Sequence, residues 1–160
     1  MTIAHSASSL LVRPAALGLS ALCEPILRNL PEWFGIEESN LRYLQEIEIN
    51  PTILVCDGDR PVGFLSLLQH NDFSAEINII AVHRDYHRQG GGRLLVQGAN
   101  DYLRVKGFLF LQVKTISSTK TDENYKKTRE FYLGVGFVPL QEFPNLWTKS
   151  NPCLQMIMAL

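Results

Sequence analysis

The sequence predicts an α/β domain in which a mixed, mostly antiparallel sheet of about seven strands is flanked by about four helices. Three observations predict it. An Asp57-Gly58 turn joins two β-rich runs, 52–56 and 62–68, as a hairpin. A third β-rich run, 75–83, leads through three consecutive glycines into a helix-like stretch at 93–106. A further β-rich run follows at 108–116. Hairpins make antiparallel pairs and strand–helix–strand crossovers make parallel ones, so the sheet is mixed and carries helices on both faces.

Residues 10–13 read as a first strand, ended by Pro14. Residues 15–30 read as helical, with Leu17, Ala21 and Leu22 on one stripe. Pro25 lacks the N–H that a helix interior uses, so it belongs near a helix start or at a kink. The run Pro31-Glu32-Trp33-Phe34-Gly35 breaks the pattern, and 37–49 resumes it with Leu41, Leu44 and Ile47 at helical spacing. In the third β-rich run Ala75, Ile77, Ile79 and Ala81 alternate with Glu76, Asn78, Ile80 and Val82, which predicts one face for each set. The helix after the glycines carries Leu95, Ala99, Tyr102 and Leu103 on one stripe and stops at Gly107. Residues 117–124 read as a polar loop and 125–133 as a short helix stopped by Gly134 and Gly136. Residues 137–142 and 154–160 close the set as strands. The order is β-α-α-β-β-β-α-β-α-β-β, in one domain over 1–160 with residues 1–9 as a loose N-terminal segment.

Composition narrows the function classes. Hydrophobic residues make up 46% and charged residues 19%, which suits a packed core and not a disordered chain. A net charge of −1 supplies no basic field for nucleic acid. No apolar run approaches the ~20 residues that span a bilayer. Residues 1–9 lack the basic and long apolar regions of a signal peptide. Cys23, Cys56 and Cys153 are far apart and odd in number, which argues against a disulfide framework or a cysteine metal site. Buried thiols in a reducing cytoplasm, and no metal, are expected.

The glycines carry most of the functional signal. Residues 86–93 read Tyr-His-Arg-Gln-Gly-Gly-Gly-Arg, at a strand-to-helix junction. Glycine lets backbone approach a ligand closely, and a helix start offers free N–H groups and a positive dipole end. With Arg88 and Arg93 nearby, this is a candidate phosphate cradle. A Walker loop requires Lys-Ser/Thr after its second glycine, which is absent here. The dinucleotide pattern Gly-x-Gly-x-x-Gly fits Gly90 and Gly92 but meets Leu95 in its third glycine slot.

The run His87-Arg88-Gln89-Gly90-Gly91-Gly92 resembles the pyrophosphate loop of the GNAT superfamily of N-acetyltransferases, Gln/Arg-x-x-Gly-x-Gly/Ala. His87 stands where that family most often has Arg or Gln. Gly91 replaces its usual apolar residue, which suggests a more flexible loop. Residues 129–137, Arg-Glu-Phe-Tyr-Leu-Gly-Val-Gly-Phe, resemble the family's second signature, a helix ending in Phe-Tyr and followed by Gly-Phe. Many members place an Asn six residues before that Phe; Tyr125 fills the slot here, with Asn124 one residue away.

The resemblance implies an N-acetyltransferase that moves an acetyl group from acetyl-coenzyme A to a primary amine by direct attack in a ternary complex. A non-catalytic acyl-coenzyme A-binding module is the alternative. It implies that His87, Arg88, Gln89, Gly90, Gly91, Gly92 and Arg93 hold the pyrophosphate. The pantetheine arm would run along Ile80, Ala81 and Val82, where the fourth and fifth strands splay, and Asn124 would touch the coenzyme. Tyr132 takes the place of the family's general acid and Glu76 that of its base, with His70 and His83 as substitutes. An apolar cleft would raise the pKa of Glu76. The acceptor wall would come from the segment after the first helix, with Trp33, Phe34 and Glu37, and from Asn78. Trp147 could reach the same cleft, and Glu32, Glu37 and Glu38 would suit a cationic amine. The acceptor is a small-molecule or peptide amine. A homodimer is expected by analogy, paired through the last strand at 154–160.

Overall fold

The computed structural model describes residues 9–160, so the expected loose N-terminal segment lies, Ser9 apart, outside the described residues. The elements follow the expected order: β1 (Leu10–Val12), α1 (Ser20–Arg28), α2 (Glu37–Ile49), β2 (Thr52–Asp57), β3 (Arg60–Gln69), β4 (Ser74–Val82), α3 (Gly91–Val105), β5 (Phe110–Ile116), α4 (Glu123–Val135), β6 (Val138–Thr148) and β7 (Asn151–Ala159). A single 3-10 turn, Arg84–Tyr86, leads from β4 toward α3. The strands form one sheet in the order β1-β2-β3-β4-β5-β7-β6. All pairings are antiparallel except β4 with β5, the pair joined through α3.

Each face of the sheet has its own core. On one, Leu95, Ala99 and Leu103 of α3 pack with Val55, Leu65, Ile77 and Val113, and Tyr132 and Phe137 join them. On the other, Cys23, Ile26 and Leu27 of α1 and Ile47 of α2 pack on Leu54, Phe64, Ile79 and Ala81. Full burial of one such large side chain is worth about 1.5–3 kcal/mol.

Strand β4 contributes to both cores, which corrects the single-face expectation. Ser66 of β3 faces Ile79 while Leu67 faces Ile77, so Asn78 is the extra residue of a bulge. One extra residue sends every later side chain to the opposite face. Ala75 and Ile77 therefore share a core with Ile80 and Val82, and Ile79 and Ala81 turn to α1 and α2.

Other boundaries also differ. The first helix does not cover 15–30, because Ala16 exchanges both backbone hydrogen bonds with Thr52 and Gly18 has φ +74°. That holds the chain along the sheet until Ser20. The inward stripe of α1 is Cys23, Ile26 and Leu27, while Leu17, Ala21 and Leu22 are exposed. Pro25 lies inside α1 on its exposed side, where the carbonyl it leaves unbonded can meet water. Gly134 does not stop α4; Gly136 does, at φ +110°. Strand β7 is paired on both edges, to β5 and β6, so it offers no free backbone for the dimer contact expected there. The edge strand on that side is β6. All three cysteines are unpaired and buried. Among the described residues no helix is long and apolar enough to cross a membrane.

Candidate active site

The triple glycine is divided by the fold. Gly90 alone belongs to the loop: it is the N-cap of α3, at φ +84°, with no side-chain cap. Gly91 and Gly92 are the first helical residues. Gly91 is buried in the first turn of the helix, where a Cβ would make only ordinary contact with Val82, Leu10 and Val55, so it is not the flexible loop residue expected. At Gly92 a Cβ would lie 2.9 Å from the Phe131 ring, so glycine lets α4 close on α3. The first intrahelical bond runs from Leu94 N–H to the Gly90 carbonyl. The amides of the first turn thus have no partner within the helix and point out with the positive dipole end. Arg88 has φ +59°, a conformation few non-glycine residues adopt, and it turns the loop toward that helix start.

The flanking side chains mostly brace this loop. His87 Nε2–H donates to the Val82 carbonyl at 2.6 Å, and its ring meets Trp33 edge-on at 6.3 Å. Gln89 donates to the Asp85 carbonyl at 3.0 Å. Arg93 Nη2 donates to the Gly134 carbonyl at 3.2 Å, joining α3 to the last turn of α4.

A gap in the sheet opens beside the loop. β4 and β5 pair only from Ser74↔Phe110 to Ile77↔Val113. Past that point Ile80, Ala81 and Val82 still pair with β3, but their other edge has no strand among the described residues. Such an edge can take up an extended, amide-bearing ligand. On β5, two residues beyond the parting, the Thr115 hydroxyl is buried without a hydrogen-bond partner among the described residues.

Tyr132 lies near the far end of α4, 5% exposed, between the rings of Phe131 and Phe137 at 5.5 and 5.6 Å. Its hydroxyl has no hydrogen-bond partner among the described residues, and burial pushes the phenol well above its usual pKa. The phenols of Tyr125 and Tyr43 add to that effect. A phenol held neutral in this way keeps its O–H as a hydrogen-bond donor. Asn124 is in the first turn of α4, its N–H given to the capping Asp122 carboxylate and its carbonyl accepting from Thr128.

Glu76 is 8% exposed, but its surroundings are not purely apolar. Lys114 donates to Oε1 at 2.9 Å, and His70 Nε2 meets Oε2. Asn78 reaches across to α2, where its Nδ2 donates to Glu46 Oε2 at 2.7 Å. Trp33 donates from its indole to Thr128 Oγ1 at 3.2 Å, linking the α1–α2 segment to α4. Phe34 packs edge-on to Tyr43 at 6.1 Å. Glu37 does not face an open cleft: Arg28 grips both its oxygens at 2.8 and 2.9 Å and holds its carboxyl below the usual range. Arg84 does the same to Glu32.

Sequence reasoning missed Tyr43, Glu46 and Thr115. Nothing in their spacing marks them; Glu46 joins the site only because the bulge aims Asn78 at it. Among the described residues no group of three His, Cys, Asp or Glu side chains is placed to hold a metal ion.

An uncapped helix start thus lies beside a parted parallel strand pair in a mixed α/β sheet. The chain belongs to the acetyltransferase (GNAT) family, whose model matches residues 21–137. Among curated proteins no relative matches. Solved structures with the same fold include the aminoglycoside 6'-N-acetyltransferase from Enterococcus faecium, at 18% identity, TM-score 0.74, and 93% and 96% of the two chains covered. The ribosomal-protein-S18-alanine N-acetyltransferase from Escherichia coli is similar at 18% identity and TM-score 0.72, over 94% and 93%. A GNAT family acetyltransferase from Elizabethkingia anophelis with acetyl-CoA bound is similar at 19% identity and TM-score 0.70, over 94% and 98%.

Proposed function

We propose that the chain transfers an acetyl group from acetyl-coenzyme A to a primary amine of a small molecule or peptide, by direct attack in a ternary complex. The observation that carries this reading is the parting of β4 and β5 beside the bare N-terminus of α3. The amides of Gly90 to Arg93 answer the pyrophosphate, with Arg88 adding charge. The edge of Ile80–Val82 that no strand covers answers the amides of the pantetheine arm, apart from the Val82 carbonyl that His87 already takes. The Thr115 hydroxyl, buried without a hydrogen-bond partner among the described residues, is a further polar group for the arm. His87 and Gln89 shape the loop, and Asn124 supports the wall on α4.

In the transfer, the amine nitrogen gives up a proton and its lone pair attacks the thioester carbonyl. The carbon–sulfur bond breaks, the thiolate takes a proton from Tyr132, and the second proton that the nitrogen loses as the amide forms returns to the Tyr132 oxygen. Glu76, linked to His70 and Lys114, receives the proton from the ammonium. Trp33 and Phe34 wall the acceptor side with Asn78. The buried, unpaired cysteines support a reducing cytoplasmic setting.

Release of coenzyme A thiol, followed across a panel of amines, tests the reading. Tyr132→Phe should lower turnover by about tenfold or more, with coenzyme A binding unchanged. Intact coenzyme A binding without turnover of any amine would leave a binding module instead.

A further inference from the structure

The carboxylates around the cleft are not equivalent. Glu32 is held by Arg84, Glu37 by Arg28, and Glu76 by Lys114 and His70. Glu46 is half-buried on α2 and forms no ion pair among the described residues, although Arg42 lies one turn earlier on the same helix. Its Oε2 accepts from Asn78, and its Oε1 has no hydrogen-bond partner among the described residues. Asn78 is the bulge residue, one position past the last β4 residue paired with β5. The Glu46 carboxylate is thereby held where the two strands part.

Its neighbours are aromatic. Tyr43 lies three residues earlier on α2, on the same helix face, with the Phe34 ring edge-on behind it. Burial keeps the Tyr43 phenol neutral, with the neighbouring charges of Arg42 and Glu46 acting on it in opposite senses. Tyr43 in turn acts electrostatically on Tyr125 and Tyr132 of α4.

A partly dehydrated carboxylate is unfavourable unless a cation replaces the lost water. An alkylammonium suits both neighbours, since its N–H groups can reach the free oxygen and its charge can lie over an aromatic face. We infer that Glu46, held by Asn78 and flanked by Tyr43, binds the ammonium of the acceptor, and that the acceptor is a primary amine with no carboxylate or phosphate beside its nitrogen. The inference rests on the acetyltransfer reading above. It separates two carboxylate roles: Glu46 anchors the amine, and Glu76 handles its proton. An α-carboxylate on the acceptor would bring a second negative charge against Glu46.

The test uses the full chain with saturating acetyl-coenzyme A and phenethylamine, spermidine or phenylalanine as acceptor. Phenethylamine and spermidine should be preferred over phenylalanine. Glu46→Gln should raise the KM for phenethylamine by about thirtyfold, as loss of one partner of a desolvated charge pair does. Coenzyme A affinity should hold, and kcat should stay within about threefold. The same variant should narrow the preference for phenethylamine over phenylalanine, which a structural role would not do. Glu46→Asp keeps the charge and should restore most of the KM; if Glu46→Gln lowers the unfolding temperature, this second variant decides. Turnover with KM and preference indifferent to Glu46 would overturn the inference alone. Absence of turnover with every amine, with coenzyme A still bound, would overturn the acetyltransfer reading and the inference with it.

Discussion

Helices α3 and α4 begin in opposite ways. The first turn of α4 is closed by Asp122, whose carboxylate accepts from the N–H groups of Asn124 and Tyr125 at 2.9 and 3.1 Å. The first turn of α3 has no side-chain cap and starts from a glycine at φ +84°. A side-chain cap is worth about 1 kcal/mol, so α3 forgoes stability that α4 takes. What α3 gains is an array of amides and a positive dipole end facing out of the protein. Beneath it Gly92 lets α4 close against the helix start. A helix N-terminus is a ligand site only when left unfilled, and here small residues and positive-φ backbone keep it so.

Filling the open terminus should have the largest effect. A Cβ at Gly90 would meet nothing within 4 Å, and Asp is among the residues that tolerate its left-handed backbone. Gly90→Asp should leave the fold intact while placing a carboxylate where the pyrophosphate is proposed to bind. A carboxylate about 4 Å from a phosphate costs roughly 4 kcal/mol at an effective dielectric of about 20. Calorimetric titration should then show coenzyme A affinity down by roughly a hundredfold or more, with little change in unfolding temperature. Unchanged affinity would show that α3 is not the phosphate site.

The next effect is on packing. Gly92→Ala forces a methyl against the Phe131 ring, 2.9 and 3.0 Å from two of its carbons. Overpacking of this kind costs about 1–3 kcal/mol. In a domain of this size each kcal/mol lowers the unfolding temperature by ~2–4 °C. Adding Phe131→Leu should recover much of the loss, because the clash is with a side chain and not with backbone. A loss unaltered by the second substitution would place the strain elsewhere.

These two glycines mark what the sequence made legible. The order of elements, the hairpin at Asp57-Gly58 and the strand-to-helix junction follow from local chemistry, since turn residues and periodicity act within a few positions. The family resemblance, from Gly90, Gly92 and Phe131-Tyr132, is matched by the family model over 21–137. The division of labour among the glycines was not legible. Gly90 needs its backbone and Gly92 needs its neighbour, and only the packing of α4 on α3 tells them apart. The bulge at Asn78 was equally hidden, because it comes from pairing with β3 and not from the alternation within β4. With it were hidden the facing of Ile79 and Ala81 and the reach from Asn78 to Glu46. Glu37 and Glu32 looked free in one dimension; Arg28 and Arg84 reach them only in the fold.

The smallest change opens the closed terminus. Asp122→Ala removes the carboxylate that answers the start of α4, and should cost about 1 kcal/mol. That corresponds to a fall of ~2–4 °C in unfolding temperature. Coenzyme A affinity should stay within about twofold, since the proposed phosphate contacts belong to α3. The variant should also acquire what α3 already has, a bare helix start with free amides and an uncompensated dipole. Sulfate should therefore raise its unfolding temperature by more than it raises that of the parent chain, through binding at the new terminus. Coenzyme A, by filling α3 first, should leave this extra sulfate effect in place. If the sulfate response of Asp122→Ala equals that of the parent chain, the vacant cap alone does not make an anion site. The phosphate binding proposed for α3 would then need the glycine-shaped approach of its loop as well.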